Sequence, residues 1–202
     1  MSPVFTHDEV LNQLRQIIAK SLAIDPESIT EDSYLNELGA ESLDLVDISF
    51  SCEDQFHILM PDKNIFEAGK TIFEEGVLLQ EGFLTDEGKR FLKTRMPDFD
   101  TSANDGQISM ADVNHALLRV GTWVRMIQGL LEVRPNVCTV CNIRLVNDKP
   151  DRMLCPTCKQ EYEIPSGDAL NQEWVRKYYE TEYLPRHPAN IPSEIAPECS
   201  SH

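Results

Sequence analysis

Six cysteines occur in the 202 residues, and four of them form two C-x-x-C pairs, Cys138-Thr139-Val140-Cys141 and Cys155-Pro156-Thr157-Cys158, separated by thirteen residues. Thiolates are ligands that zinc accepts in tetrahedral sites, and each such pair makes a turn that can set two of them on one ion. Four thiolates would leave no open coordination position, so the spacing points to a structural zinc and not a catalytic one. A redox dithiol would need a single C-x-x-C beside a βαβ unit, and that pattern is missing. Cys52 and Cys199 stand apart from the pairs and read as bystanders. The other candidate is Ser42, which follows Gly39 and opens an apolar helical run. Taken alone, such a serine is most simply an N-cap. A hydrolase nucleophile would need glycine two residues to either side, where Ala40 and Asp44 stand. His57 lies fifteen residues further along the same helix. At 1.5 Å per residue that is about 22 Å, too far to act as a base for Ser42.

The elements that must hold these groups are mostly helical. Thr6-His7-Asp8-Glu9 is a capping box, and Val10, Leu14, Ile17, Ile18 and Leu22 recur behind it at helical spacing until Asp25 and Pro26 stop the run. A polar loop with Ile29, Tyr34, Leu35 and Leu38 ends at Gly39. The second helix begins near Ser42 and is expected to reach about Leu59, before Met60 and Pro61. Val46, Phe50, Cys52 and Phe56 are expected to supply its buried side, with Leu43 and Phe50 alternatively left partly exposed. Asp44, Asp47 and Asp54 share one stripe, flanked by Glu53, and form either a solvated face or a surface that meets a partner.

Charge says where a partner would be sought. The chain carries 34 acidic and 18 basic residues, a net of −16. Residues 1–60 alone hold 12 acidic and 2 basic residues, so most of the excess is local. That balance argues against nucleic-acid phosphates and anionic membranes and for partners with basic patches. No apolar stretch approaches the roughly 18 residues of a membrane span, and the first ten residues lack a basic region before an apolar run. With so few and so clustered cysteines, a cytoplasmic location is the simplest expectation.

Around Ser42 the chain reads Gly39-Ala40-Glu41-Ser42-Leu43, then Asp44, Asp47, Glu53 and Asp54, then Phe56 and Met60-Pro61-Asp62. In this register residues 6–73 resemble the acyl carrier protein family. The resemblance implies a helical bundle in which Ser42 carries a 4′-phosphopantetheine arm added by a phosphopantetheinyl transferase. It also implies acyl groups held as thioesters and delivered to acyl-activating and condensing enzymes of fatty-acid, polyketide or related biosynthesis. Such partners would dock basic faces on Asp44, Asp47, Glu53 and Asp54, and the carrier itself would not be an enzyme. Glu41 departs from the family's usual Asp and bears on the fit to the transferase. A carrier domain also closes with a final helix, for which Phe66, Ile72, Phe73, Val77, Leu78 and Leu79 are the nearest candidates.

Residues 85–96 predict a further helix. Residues 101–112 superficially imitate a calcium loop, but Thr101, Ala103 and Asp112 fail the ligand positions, so Ser109 to Asp112 reads as a helix cap. Val113, Leu117, Val120, Val124, Ile127 and Leu131 then alternate by four and three, which makes either an internal core face or the seam of a homodimer. The segments 143–146 and 161–164 alternate as short strands around the cysteine pairs, and this region resembles a zinc ribbon. A last helix capped by Ser166 or Asp168 precedes a tail with Pro185, Pro188, Pro192 and Pro197.

The expected fold is therefore mainly α: an acyl-carrier-like helical bundle (1–82), a helical extension (83–135), a small β zinc ribbon (136–165), and a C-terminal helix with a Pro-rich tail (166–202). The expected function is that of an acyl carrier protein with zinc and 4′-phosphopantetheine as its cofactors. The alternative is a non-carrier zinc-ribbon adaptor whose carrier domain is degenerate.

Overall fold

The computed structural model describes residues 5–188; the tail prolines Pro192 and Pro197, together with Cys199 and His202, lie outside them. Helix α1 (His7–Leu22) starts as its capping box dictates: the Thr6 N–H donates to Glu9 Oε2 at 2.7 Å, and the Glu9 N–H donates back to Thr6 Oγ1 at 3.3 Å. It buries Val10, Leu14, Ile18 and Ala19. Helix α2 (Ser42–Phe56) buries Ile48, Cys52 and Phe56 and ends at His57 in the left-handed region. Burial pushes the Cys52 thiol up to about 12, which leaves it an inert core group. Val46 corrects the expected buried set, and Phe50 takes the exposed alternative along with Leu43. Val46 and Phe50 each lie two residues from Ile48, about 200° around the helix, so a face built on Ile48, Cys52 and Phe56 turns them outward.

The third wall of this bundle comes from much further along the chain than expected. Between α2 and residue 78 there is only a short helix α3 (Ile65–Gly69) in otherwise irregular chain. The helix that packs on α1 and α2 is α6 (Val120–Val133), which places Val120, Trp123, Val124, Ile127, Leu130 and Leu131 in the same apolar cluster as Leu14, Ile18 and Phe56. A boundary at residue 82 thus cuts across the packing, since part of the expected extension completes the first core. The apolar seam over 113–131 is not one helix either. It divides into α5 (Met110–Leu117) and α6, and Val113 faces a second cluster while Val120, Val124, Ile127 and Leu131 are buried in the first. Those residues spend their apolar surface inside the chain and not between copies.

The break has a tertiary cause. Residues 31–35 run alongside 118–121: Leu35 N–H donates to Leu118 O at 3.0 Å, Val120 N–H to Ser33 O at 2.9 Å and Gly121 N–H to Glu31 O at 2.9 Å. Arg119 pairs with Asp32, and His115 stacks on Tyr34 with ring centroids 4.3 Å apart. A Cβ on Gly121 would sit 3.2 Å from Glu31 O, so a side chain there would crowd the approach.

The second cluster gathers α3, α4 (Asp86–Arg95), α5 and α7 (Gly167–Tyr178) around Phe66, Phe73, Phe91, Tyr178 and Tyr183. The cap expected at α5, Ser109 with Asp112, is in place, and of the two candidates at α7 it is Ser166 that caps; Thr85 caps α4. Gly88 is needed because a Cβ there would stand 2.1 Å from Leu78 O. Glu87 is buried there but satisfied, accepting from Tyr178 Oη at 2.7 Å and from Arg186 at 2.9 Å. Its strands β1 (Leu79–Gln80) and β2 (Phe83–Leu84) form a hairpin. The third unit is a three-stranded antiparallel sheet of β3 (Val146–Lys149), β4 (Arg152–Leu154) and β5 (Glu161–Glu163). Its first strand starts at Val146, the last residue of the segment expected to be extended, because residues 143–145 pair back on 136–138 instead, with a bridge between Val137 and Arg144. Among the described residues no helix is long and apolar enough to cross a membrane.

One tie between α1, the 31–35 loop and α6 is titratable. His7 Nε2 lies 2.8 Å from Glu31 Oε1 and Nδ1 lies 3.3 Å from Gln128 Oε1, and the bond to Glu31 is the main cause holding the imidazolium above its usual range. A raised histidine stabilises the fold fully below its ordinary value and loses that contribution as pH rises through the raised one. The Tm difference between wild type and His7→Ala should therefore be larger at acidic than at alkaline pH; equal differences would contradict this role.

Candidate functional site

Ser42 sits where a left-handed turn delivers it. Gly39 adopts φ +97°, a conformation that favours glycine, and Ala40 N–H returns to Leu35 O at 2.9 Å. Glu41, extended at φ −97° and ψ 175°, is the N-cap, and its N–H donates to Asp44 Oδ2 at 2.8 Å. Ser42 is then the first helical residue, not the cap, and it is exposed. The first helical bond here is from Leu45 N–H to Glu41 O, so the amides of Ser42 and Leu43 have no acceptor within the helix. Free amides and the positive end of the helix dipole suit a phosphate ester at this hydroxyl. Beside it an open depression is lined by Asn36, Ala40, Glu41, Leu43, Leu45 and Leu118. His57 is at the opposite end of the helix, so α2 does not bring a base to Ser42.

The acidic stripe divides into spent and available groups. Asp44 caps its own helix, and Asp47 accepts from Ser21 Oγ at 3.0 Å. Glu53 accepts from Met60 N–H at 2.8 Å, and partial burial raises its carboxyl above the usual range. Asp54 is exposed. Between these charges α2 displays Leu43, Val46 and Phe50, which are 84%, 51% and 64% exposed. Spacings of three and four put them on one side of the helix, so the exposed face of α2 is apolar as well as acidic. The sequence places Val46 in the core and leaves Phe50 either buried or partly exposed. The signal passed over is that Ile48, Cys52 and Phe56, four residues apart, already make a complete buried stripe.

The four paired cysteines come together. Sγ atoms of Cys138, Cys141, Cys155 and Cys158 all lie within 4.8 Å of one another, and those of Cys138 and Cys158 are 3.6 Å apart. Zn–S bonds of about 2.3 Å in a tetrahedron require sulfurs about 3.8 Å apart, so the cluster has the size of a tetrathiolate site. Both pairs are built alike. Asn142 and Lys159 have positive φ, and their N–H groups return to Cys138 O at 2.9 Å and Cys155 O at 3.1 Å. The first thiol is further prepared, since Tyr162 Oη donates to Cys138 Sγ at 3.3 Å and the Cys141 N–H does so at the same distance, lowering Cys138 to about 6. Crowding by Cys158 works the other way, raising Cys141 to about 12. Four such thiols ionise together only around a cation.

A family model described as a phosphopantetheine attachment site matches residues 12–72. The acyl carrier protein of Lactobacillus acidophilus is 36% identical over 58 residues, which are 28% of this chain and 72% of that protein. That of Phenylobacterium zucineum is 42% identical over 55 residues, 27% of this chain and 70% of the relative. That of Petrotoga mobilis is 32% identical over 83 residues, 41% of this chain and 96% of the relative. No solved structure matches the chain significantly.

The two faces of α2 separate cleanly in a stability measurement. Phe50→Glu should leave the denaturation midpoint nearly unchanged, within about 0.5 kcal/mol. Phe56→Ala, at a fully buried site, should cost about 3–5 kcal/mol.

Proposed function

Because this chain belongs to the acyl carrier protein family, we propose that it carries acyl groups as thioesters on a 4′-phosphopantetheine arm attached to Ser42 and passes them between enzymes of fatty-acid, polyketide or related biosynthesis. The observation that carries this reading is the exposed hydroxyl of Ser42 in the first turn of α2, behind a glycine with positive φ and ahead of amides without helical acceptors. The arm supplies the terminal thiol on which the acyl group is held. The chain's own residues supply the attachment oxygen, the amides beside the phosphate and the surface that partners grip. Glu41 takes the N-cap with its N–H bonded to Asp44, so the added methylene does not open the turn that precedes Ser42.

Partners in this reading are a phosphopantetheinyl transferase and acyl-activating and condensing enzymes with basic faces. They meet an apolar stripe of Leu43, Val46 and Phe50 bordered by Asp44, Asp47, Glu53 and Asp54. Asp54 contributes most to steering, because Asp44 and Glu53 already hold backbone amides and Asp47 holds the Ser21 hydroxyl. Such steering acts mainly on the rate of encounter and weakens with salt. The carrier unit comprises α1, α2 and α6, interrupted by the second cluster. The ribbon holds one zinc on Cys138, Cys141, Cys155 and Cys158, with a structural role, and the protein works in the cytoplasm.

Incubation with coenzyme A and a broad-range phosphopantetheinyl transferase should add one phosphopantetheine to the wild type, measured by intact mass, and none to Ser42→Ala. An unmodified wild type would instead favour a zinc-ribbon adaptor with a degenerate carrier domain, and a modified Ser42→Ala would move the attachment elsewhere. Protein made in zinc-supplied medium should contain about one zinc per chain by elemental analysis, as expected for a closed tetrathiolate site. Cys138→Ser combined with Cys155→Ser should abolish it; zinc retained by that variant would exclude this site.

A further inference from the structure

The ribbon's two connections to the rest of the chain close on neighbouring places, the C-terminal end of α2 and the segment that follows it. On the entering side, Arg134 follows α6 directly and is buried, 7% exposed. Its Nη1 donates to Phe56 O at 2.6 Å and to His57 O at 3.5 Å, the carbonyls at the negative end of the α2 dipole. Asn136 Oδ1 holds the same guanidinium, accepting from Nε at 3.3 Å and from Nη2 at 3.1 Å. Asn136 is in turn part of the ribbon, because its carbonyl accepts from Leu145 N–H at 3.0 Å beside the Val137 and Arg144 bridge.

On the leaving side, Leu59 and Ser166 form a parallel bridge, and Gly167 N–H donates to Leu59 O at 2.8 Å. The contact is close enough that a Cβ on Gly167 would stand 2.5 Å from Pro61. Lys63 N–H donates to Asp168 Oδ1 at 3.0 Å, and Asn171 Nδ2 donates to Lys63 O at 3.1 Å. Leu59 also packs against the small ribbon core of Cys138, Leu145, Met153, Cys155 and Ile164. That core contains two of the cysteines and no large cluster of its own, so the ribbon depends on its metal for order.

We propose that metal binding at the four cysteines fixes the C-terminal end of the carrier helix α2 and the segment that follows it, through Arg134 on one side and Gly167 on the other. The proposal rests on the metal reading above. The cation orders the turns at Cys138 and Cys155, the ordered ribbon holds Asn136, and Asn136 holds Arg134 on the Phe56 and His57 carbonyls. The same helix presents Ser42 at its other end and Phe50 between, so metal occupancy sets the rigidity of the surface that partners meet.

Hydrogen exchange of the full chain, read by mass spectrometry before and after metal removal with a chelator, tests this. Exchange in residues 53–61 should accelerate about tenfold on stripping, the scale of one lost charged hydrogen bond, while α1 changes far less. Arg134→Gln should keep its metal yet show the faster exchange around Phe56 and His57 already when loaded, leaving stripping to act mainly through the Gly167 side. Metal present but exchange in 53–61 unchanged by stripping would overturn the coupling, as would equal acceleration in α1 or an Arg134→Gln protein that behaves like wild type. Protein with no bound metal at all would instead remove the metal reading, and the proposal with it.

Discussion

The backbone pairing of residues 31–35 with residues 118–121 is the contact on which the rest of the structure depends. A bundle of α1 and α2 alone leaves Leu14, Ile18, Ile48 and Phe56 without a third wall. That wall arrives only after more than fifty further residues. Three hydrogen bonds to the loop ahead of Ser42, with the Arg119 and Asp32 ion pair, set the direction in which α6 leaves. They also end α5, and so decide that Val113 faces the second cluster and Val120 the first.

One consequence is that a long excursion can be carried without disturbing the helix that bears Ser42. The chain leaves after Pro61 and Asp62, builds the aromatic second cluster, and returns at residue 118 beside Leu35, close to the depression that borders Ser42. The ribbon then leaves after α6 and comes back at Gly167, against Leu59 in the segment that follows α2. The two returns therefore brace the segments on either side of α2 while its outer face, with Leu43, Val46 and Phe50, stays open.

Local signals in the sequence proved accurate where short-range chemistry decides the outcome. The caps at Thr6, Ser109 and Ser166 formed, and the spacing of the cysteine pairs brought four sulfurs together. Partnership between distant helices was not legible, because an apolar stripe states that a helix is buried and not against what. The stripe over 113–131 illustrates this: no Gly or Pro marks the break at Leu118 and Arg119, which tertiary hydrogen bonds impose. At the site, the serine was visible but its cap position was not, since Glu41 is an uncommon N-cap that works here through Asp44 reaching back to its amide. The acidic stripe was visible as charge, whereas its division into spent and free carboxylates depends on Ser21 and Met60, which only folding brings near.

The central claim is that Ser42 bears the arm in the protein as cells make it. Peptide mapping by tandem mass spectrometry of the chain isolated from its own source tests this most directly. The account predicts a phosphopantetheine adduct located on the peptide containing Ser42. Recovery of that peptide wholly unmodified, from cells whose other carrier proteins are modified, would contradict it.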